Sequence, residues 1–154
     1  MKCFAKILGA VVFAGAAASG ASAHTFLVDT WEMADRADLE EEARFCRLAL
    51  ESGMMDVLFE EGHIFFNIYS SPSATGTMPV SGSALALAGE EGADYLIELV
   101  PDDDGASWKV YGISGMLESG GYVSIDGMDE ELETVERWMA LGNALASDVL
   151  SAVG

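Results

Sequence analysis

The chain has 154 residues, a length that suits one domain. It is strongly acidic, with 26 Asp and Glu against seven Lys and Arg and a formal net charge of −19. Such a charge repels nucleic acid and anionic membrane surfaces and attracts basic proteins or cations, so it excludes nucleic acid as a partner. The alternative explanation is acidity that serves only the solubility of an exported protein.

The first 23 residues have the pattern of a secretory signal peptide. Lys2 and Lys6 supply a positive start, residues 7–18 form an apolar run, and Ala21-Ser22-Ala23 is a small-x-small cleavage pattern. The run is too short for a membrane-spanning helix, which needs about 20 apolar residues, and no later stretch qualifies. We therefore expect an exported chain, periplasmic or extracellular, in which residues 24–154 form one domain without a transmembrane segment.

The first predicted elements are a strand and a long helix. Residues 24–32 (HTFLVDTWE) are rich in β-branched and aromatic residues, which is typical of a strand. Asp38 is the expected N-cap of a helix whose apolar residues recur at spacings of three and four until Gly62 ends it. Gly53 interrupts this pattern, and we expect a kink or a break there.

A second strand is predicted at residues 63–69. Ile64, Phe65 and Phe66 are consecutive apolar residues, which is typical of a central strand covered on both faces. Residues 70–82 then form a loop rich in Pro, Ser, Gly and Thr, long enough to suggest a function.

The second half of the chain predicts a short helix at 83–92 and a hairpin of strands at 94–100 and 107–114. Residues 115–125 continue either as one further strand or as a hairpin around Gly120-Gly121. A last helix, capped by Asp126 or Asp129, runs to about Ala152.

The order is therefore β-α-β-α-β-β-(β)-α. Helices that alternate with strands and a later run of strands indicate an α/β fold with one mixed sheet. We expect four or five strands, two long helices and one short helix.

Several phrases of the sequence resemble one family of envelope proteins. They are Leu48-Ala49-Leu50, LFEEGHIFFN at 58–67, Ala86-Leu87-Ala88 and GADYLI at 92–97, followed by a hairpin and a long C-terminal helix. In this order they resemble proteins of the curli-secretion-channel and penicillin-binding-protein-activator type. The resemblance implies an α/β fold and a non-catalytic, partner-binding role in the envelope. Such proteins are commonly lipid-anchored, whereas no cysteine stands at the expected cleavage point here.

Two places in the sequence are candidate metal sites. His24, at the expected new N-terminus, could chelate copper through its α-amine and imidazole, and His63 could add a third nitrogen. The turn that contains Asp102, Asp103 and Asp104 could attract calcium, although the spacing of an EF-hand loop is absent. The alternatives are ordinary structural roles, a hydrogen bond at a helix end for His63 and a solvated turn for the aspartates.

The sequence predicts no catalytic residue and no cofactor, because it lacks a Gly-x-Ser-x-Gly elbow and any other catalytic constellation. In the long loop, Met78, Pro79 and Val80 are candidate contacts for a partner. We therefore expect an exported, non-enzymatic protein-binding or assembly-accessory module whose partner is another envelope protein, with a basic one favoured by the charge. The alternatives are a periplasmic protein that binds a cation or small ligand and a hydrolase with an acidic pair.

Overall fold

The computed structural model describes residues 22–31, 40–70 and 82–154. The first 21 residues, the predicted cap Asp38 and the loop residues Met78, Pro79 and Val80 lie outside the described residues. The elements follow the predicted order, and the α/β fold class with two long helices and one short helix is confirmed. They are β1 (Thr25–Trp31), α1 (Glu40–Glu60), β2 (Ile64–Ser70), α2 (Gly82–Glu90), β3 (Tyr95–Asp102), β4 (Gly105–Gly112), β5 (Leu117–Ser124) and α3 (Thr134–Val153).

The five strands form one mixed sheet in the order β2-β1-β3-β4-β5. β1 is parallel to both of its neighbours, whereas β3, β4 and β5 form an antiparallel meander. β1 lies between β2 and β3, so the crossovers through α1 and α2 run in opposite directions along the sheet. Since such crossovers are right-handed, the two helices pack on opposite faces.

The main core lies between the sheet and the two long helices. It is formed by buried residues of β1 to β4 and of α1 and α3, including Phe26, Val28, Leu50, Met54, Ile97, Leu99, Trp108, Val110, Leu141 and Leu145. α2 covers the other face with a smaller cluster of Leu27, Ala84, Ala88, Ala93 and Leu96. β1 is therefore buried on both sides. No helix within the described ranges is long and apolar enough to cross a membrane.

The prediction that residues 63–69 form a central strand is wrong, because β2 is an edge of the sheet. Phe65 points into the main core and is only 8% exposed, whereas Ile64 and Phe66 are 50% and 48% exposed. β1 takes the central place instead. An apolar run shows that a strand has apolar side chains on both faces, but the packing of other elements decides whether both faces are covered.

The expected kink or break at Gly53 is also wrong, since α1 continues through this residue from Glu40 to Glu60. Gly53 lies where α1 touches α3, and a Cβ atom here would overlap the carbonyl oxygen of Met139. Gly142 on α3 makes the reciprocal contact, because a Cβ atom there would overlap the carbonyl oxygen of Leu50. The two glycines let the helix backbones come into direct contact.

The last helix begins later than predicted. α3 starts at Thr134, and the backbone N–H of its N-cap Glu133 donates to Glu136 Oε2 at 3.2 Å. Asp126 belongs to a short 3-10 helix, Ile125–Gly127, and Asp129 accepts a hydrogen bond from Glu131 N at 3.0 Å. Both aspartates therefore lie in the irregular segment between β5 and α3, and neither caps α3.

Of the two alternatives for residues 115–125, the single strand is correct. β5 runs through Gly120 and Gly121 without a turn, and Gly121 lies opposite Trp108 on β4. A Cβ atom on Gly121 would stand 3.1 Å from Trp108 Nε1. The glycine therefore leaves room for the indole ring on the core face of the sheet.

Gly142→Ala should lower the free energy of unfolding by about 1–3 kcal/mol, because the added methyl group forces two packed backbones apart. Gly89→Ala is the matched control, since Gly89 is also helical and a Cβ atom there meets Ile113 only at an ordinary 3.7 Å. That change should leave stability unchanged or raise it by up to about 1 kcal/mol. Urea denaturation followed by circular dichroism measures both, and equal effects would contradict the role of Gly142.

Candidate functional site

His24 and His63 meet at the amino end of the parallel strands, although 39 residues separate them in sequence. His24 directly precedes β1 and His63 directly precedes β2. The parallel register pairs Thr25 with Ile64, so the residues before them also lie side by side. His24 N donates to His63 Nδ1 at 3.0 Å, and the two imidazole rings stack with centroids 5.5 Å apart and an interplanar angle of 12°.

Aromatic rings and backbone hydrogen bonds hold this histidine cluster (His24 and His63) in place. Tyr95 meets the His24 ring edge-on at 5.2 Å, and Phe26 meets the His63 ring edge-on at 5.5 Å. His63 N donates to Leu58 O at 2.8 Å, and the carbonyl oxygen of His24 accepts from Ile64 N at 2.9 Å. Both backbones are therefore fixed.

Burial lowers the pKa of His63, the nearby His24 lowers it further, and Glu61 partly opposes the shift. A histidine whose pKa lies below its ordinary 6.5 is neutral at physiological pH. Neutral His63 keeps a lone pair on Nδ1, which accepts the hydrogen bond from His24 N.

The histidine cluster brings together the two residues that the sequence predicted as nitrogen ligands for a metal. The prediction that a metal binds there stays a prediction. Within the described ranges, no group of three or more His, Cys, Asp or Glu side chains is arranged to hold a metal ion. Any site here would therefore need a donor beyond those side chains.

The acidic turn lies at the opposite end of the sheet, because β3 runs from Tyr95, beside the histidines, to Asp102. Asp102 Oδ1 accepts hydrogen bonds from Asp104 N at 2.9 Å and from the hydroxyl of Tyr122 at 3.1 Å. The carbonyl oxygen of Asp104 accepts from Ile125 N at 2.8 Å. Asp102 and Asp104 thus join the β3–β4 turn to β5, and the structure does not bring Asp102, Asp103 or Asp104 to the histidines.

A row of charged residues, which the sequence analysis missed, crosses the face of the sheet that carries α2. Asp29 on β1 is only 1% exposed and pairs in register with Glu98 on β3, which in turn pairs with Lys109 on β4. The hydroxyl of Tyr111 donates to Glu98 Oε2 at 3.0 Å. Asp29 lies two residues after buried Leu27, so it points to the same face of β1. A charged residue at such a position in an apolar strand was the signal in the sequence for this row. A partly buried charge needs partners, and the Tyr111 hydroxyl is one for Glu98.

A second feature that the sequence analysis missed is an apolar surface on the outer side of α1 and β2. Phe45, Leu48 and Phe59 on α1 are 56%, 39% and 50% exposed. Their spacing places them on one side of the helix. Together with exposed Ile64 and Phe66 on β2, they form what we call the β2 flank.

The direction of this surface follows from the contacts of α1. Gly53 faces α3, whereas Glu51 faces β2, where Asn67 Nδ2 donates to its Oε2 at 3.3 Å. Successive residues of a helix are rotated by about 100°, so Leu48 and Phe59 point past Glu51 and away from α3. Leu48 and Phe59 therefore lie on the side of α1 that is nearer to the edge strand β2. Within the described part of the chain, the outer edge of β2 has no partner strand.

No protein-family model matches this chain, and no curated protein matches it significantly. Among solved structures, TolB from Acinetobacter baumannii aligns at 10% identity and a TM-score of 0.45, over 86% of this chain and 29% of TolB. The PelC dodecamer from Paraburkholderia phytofirmans aligns at 12% identity and a TM-score of 0.44, over 87% of this chain and 91% of PelC. Prolyl-tRNA synthetase from Giardia lamblia aligns at 14% identity and a TM-score of 0.39, over 80% of this chain and 26% of the synthetase. The chain thus spans less than a third of TolB, and these scores establish neither a family nor a function.

Asp102→Ala should lower the urea midpoint of unfolding, because it removes the acceptor for Asp104 N and for the Tyr122 hydroxyl. Asp102→Asn is the matched control, since it keeps an oxygen acceptor of the same shape and removes only the charge. It should retain most of the stability. If both variants lose the same stability, the charge of Asp102 matters and its hydrogen bonds do not.

Proposed function

We propose that this chain is an exported protein-binding module without catalytic activity, and that the β2 flank binds its partner. The observation that carries the proposal is the exposure of large apolar side chains on β2 and α1 beside a strand edge that has no partner strand within the described residues. Ile64 and Phe66 lie on one face of the sheet and the exposed residues of α1 lie above the other, so apolar side chains are exposed on both sides of β2. Exposed apolar surface of this kind is typical of interaction sites on folded proteins. The resemblance of the sequence to envelope-accessory proteins supports the same role.

Among the residues that the structure describes, nothing protects the outer edge of β2 in the usual ways. Natural sheets block their edges with Lys, Pro, bulges or short strands, because a bare edge pairs with other chains. β2 is seven residues long, and its sequence IFFNIYS contains neither a charged residue nor proline. Its outer N–H and C=O groups can therefore accept an added strand, which is a common mode of peptide recognition.

The side chains on either side of this edge supply specificity. Phe66 and Ile64 lie on the α2 face of the sheet, while Phe59 and Leu48 lie on α1 above the other face. Buried aromatic anchors contribute most of the energy in many interfaces. An added strand would alternate its side chains between these two surfaces.

The negative charge near β2 favours a basic partner. Asp56, Glu60 and Glu61 are exposed around the end of α1 that leads into β2, while basic Arg44 lies at the opposite end. The whole chain carries a net charge of −19. The fitting partner is therefore an extended apolar segment of another envelope protein with Lys or Arg beside it. Met78, Pro79 and Val80, which follow β2 in sequence, stay predicted contacts.

The proposal is tested with a photo-cross-linking amino acid placed at Phe66 in the full chain in its native host. Val135 on α3 is the matched control, because it is 49% exposed against 48% for Phe66 but lies away from β2. We expect one envelope protein to cross-link at Phe66 and not at Val135, through an apolar segment flanked by basic residues. Equal cross-linking at both positions, or none at Phe66, would reject the β2 flank as the binding surface.

Once the partner is identified, Phe59→Ala and Phe66→Ala should each weaken its binding to this chain by about tenfold, because each removes an aromatic anchor. Val135→Ala should leave the affinity unchanged. Both phenylalanines are half exposed, so thermal melts of the free variants should stay close to that of the unmodified chain. Unchanged affinity in both phenylalanine variants would exclude them as anchors.

A further inference from the structure

We propose that removal of residues 1–23 converts the histidine cluster into a copper(II) site with three nitrogen ligands. The ligands are the α-amine and the imidazole of His24 and the Nδ1 atom of His63. This inference is independent of the β2 flank, because it rests on other atoms. It requires cleavage directly before His24, as the sequence predicts.

Cleavage changes the chemistry of one atom in the cluster. In the uncut chain, His24 N is a peptide nitrogen whose lone pair is delocalised into the amide and is a poor metal ligand. After cleavage between Ala23 and His24, the same nitrogen is a primary amine. Ser22 and Ala23 are exposed and precede the first residue of β1, so the peptide bond is accessible to a peptidase.

An N-terminal histidine is a chelating ligand on its own, because its amine and its Nδ1 atom can bind one metal ion together. The third donor must then stand close to the amine. Metal–nitrogen bonds to imidazole are about 2.0 Å long, so two nitrogens at right angles around a metal lie about 2.8 Å apart. His24 N and His63 Nδ1 are 3.0 Å apart in the structure.

The surroundings favour one metal position at this corner. Both histidine backbones are fixed in hydrogen bonds to neighbouring segments, so few degrees of freedom are lost on binding. Asp94 accepts a hydrogen bond from Thr25 N at 2.8 Å, and Glu61 lies near enough to act on His63. Two carboxylates therefore surround the site with negative charge, which attracts a cation.

The donor set selects copper. Neutral nitrogen ligands suit copper(II), which also stands highest among divalent metals in the general order of affinities. Zinc can also take three nitrogen ligands and a water, so the preference for copper rests on its higher place in that order. His24 is half-buried, so one side of the metal would stay open to water or to a further ligand.

The first experiment determines the N-terminus of the exported protein by mass spectrometry and measures its copper affinity by competition with a chelator. A chain that starts at Ala16 is the control, since both histidines remain while the nitrogen of His24 stays a peptide nitrogen. We expect the chain that starts at His24 to bind one copper ion at least about a hundredfold more tightly, because loss of a ligand exceeds the loss from a supporting group. Zinc should bind the same chain more weakly than copper.

The second experiment separates His63 from the general acidity of the protein. His63→Gln should weaken copper binding by about tenfold or more and should reduce the nitrogen couplings in the electron paramagnetic resonance spectrum from three donors to two. The chain contains only these two histidines, so the assignment is direct. Asp102→Asn removes an acidic group at the far end of β3 and should change neither the affinity nor the spectrum.

The melting temperature adds a readout that does not depend on spectroscopy. Copper should raise it for the chain that starts at His24 and not for the chain that starts at Ala16, because only a ligand of the native state stabilises it. Three results would overturn the proposal. They are an exported chain that begins at another residue, equal copper affinity of the two chains, and a folded His63→Gln variant with unchanged affinity and spectrum.

Discussion

The direct contact between α1 and α3 is the constraint on which the rest of the structure depends. Gly53 and Gly142 each lie against a carbonyl oxygen of the other helix, so the two backbones come as close as helices can. Two helices held this way cover one face of the five-stranded sheet and enclose the main core. A side chain at either glycine would widen the gap between the helices and loosen the packing on the sheet beneath.

The contact between α1 and α3 also decides which side of α1 is exposed. With Gly53 turned to α3 and Leu50 and Met54 turned to the sheet, the remaining apolar stripe of Phe45, Leu48 and Phe59 has no covering element within the described ranges. Its Leu48 and Phe59 lie on the side of α1 nearer to β2, the edge of the sheet. The exposure of the α1 residues of the β2 flank is thus a consequence of helix packing.

The parallel pairing of β1 and β2 organises the other candidate site. Parallel strands in register bring the residues that precede them together, and here those residues are His24 and His63. The acidic turn is carried to the opposite end of β3 and is used in hydrogen bonds to β5. The histidine cluster and the β2 flank are neighbours, since His63 and Ile64 are consecutive residues. Metal and partner would thus bind at the same corner of the molecule through different atoms.

Periodicity and turn residues in the sequence determined the order of elements, the α/β class and the two long helices, because these depend on local spacing of apolar residues. The two histidines were also identifiable as candidate ligands from their chemistry alone. Only the tertiary structure decided that β2 is an edge, that Gly53 is a helix contact and that β5 passes through Gly120-Gly121. It also decided that Asp29 and Glu98 share a face of the sheet. The reason is that strand neighbours and helix contacts join residues far apart in sequence, and no local pattern records which distant surface a side chain will meet.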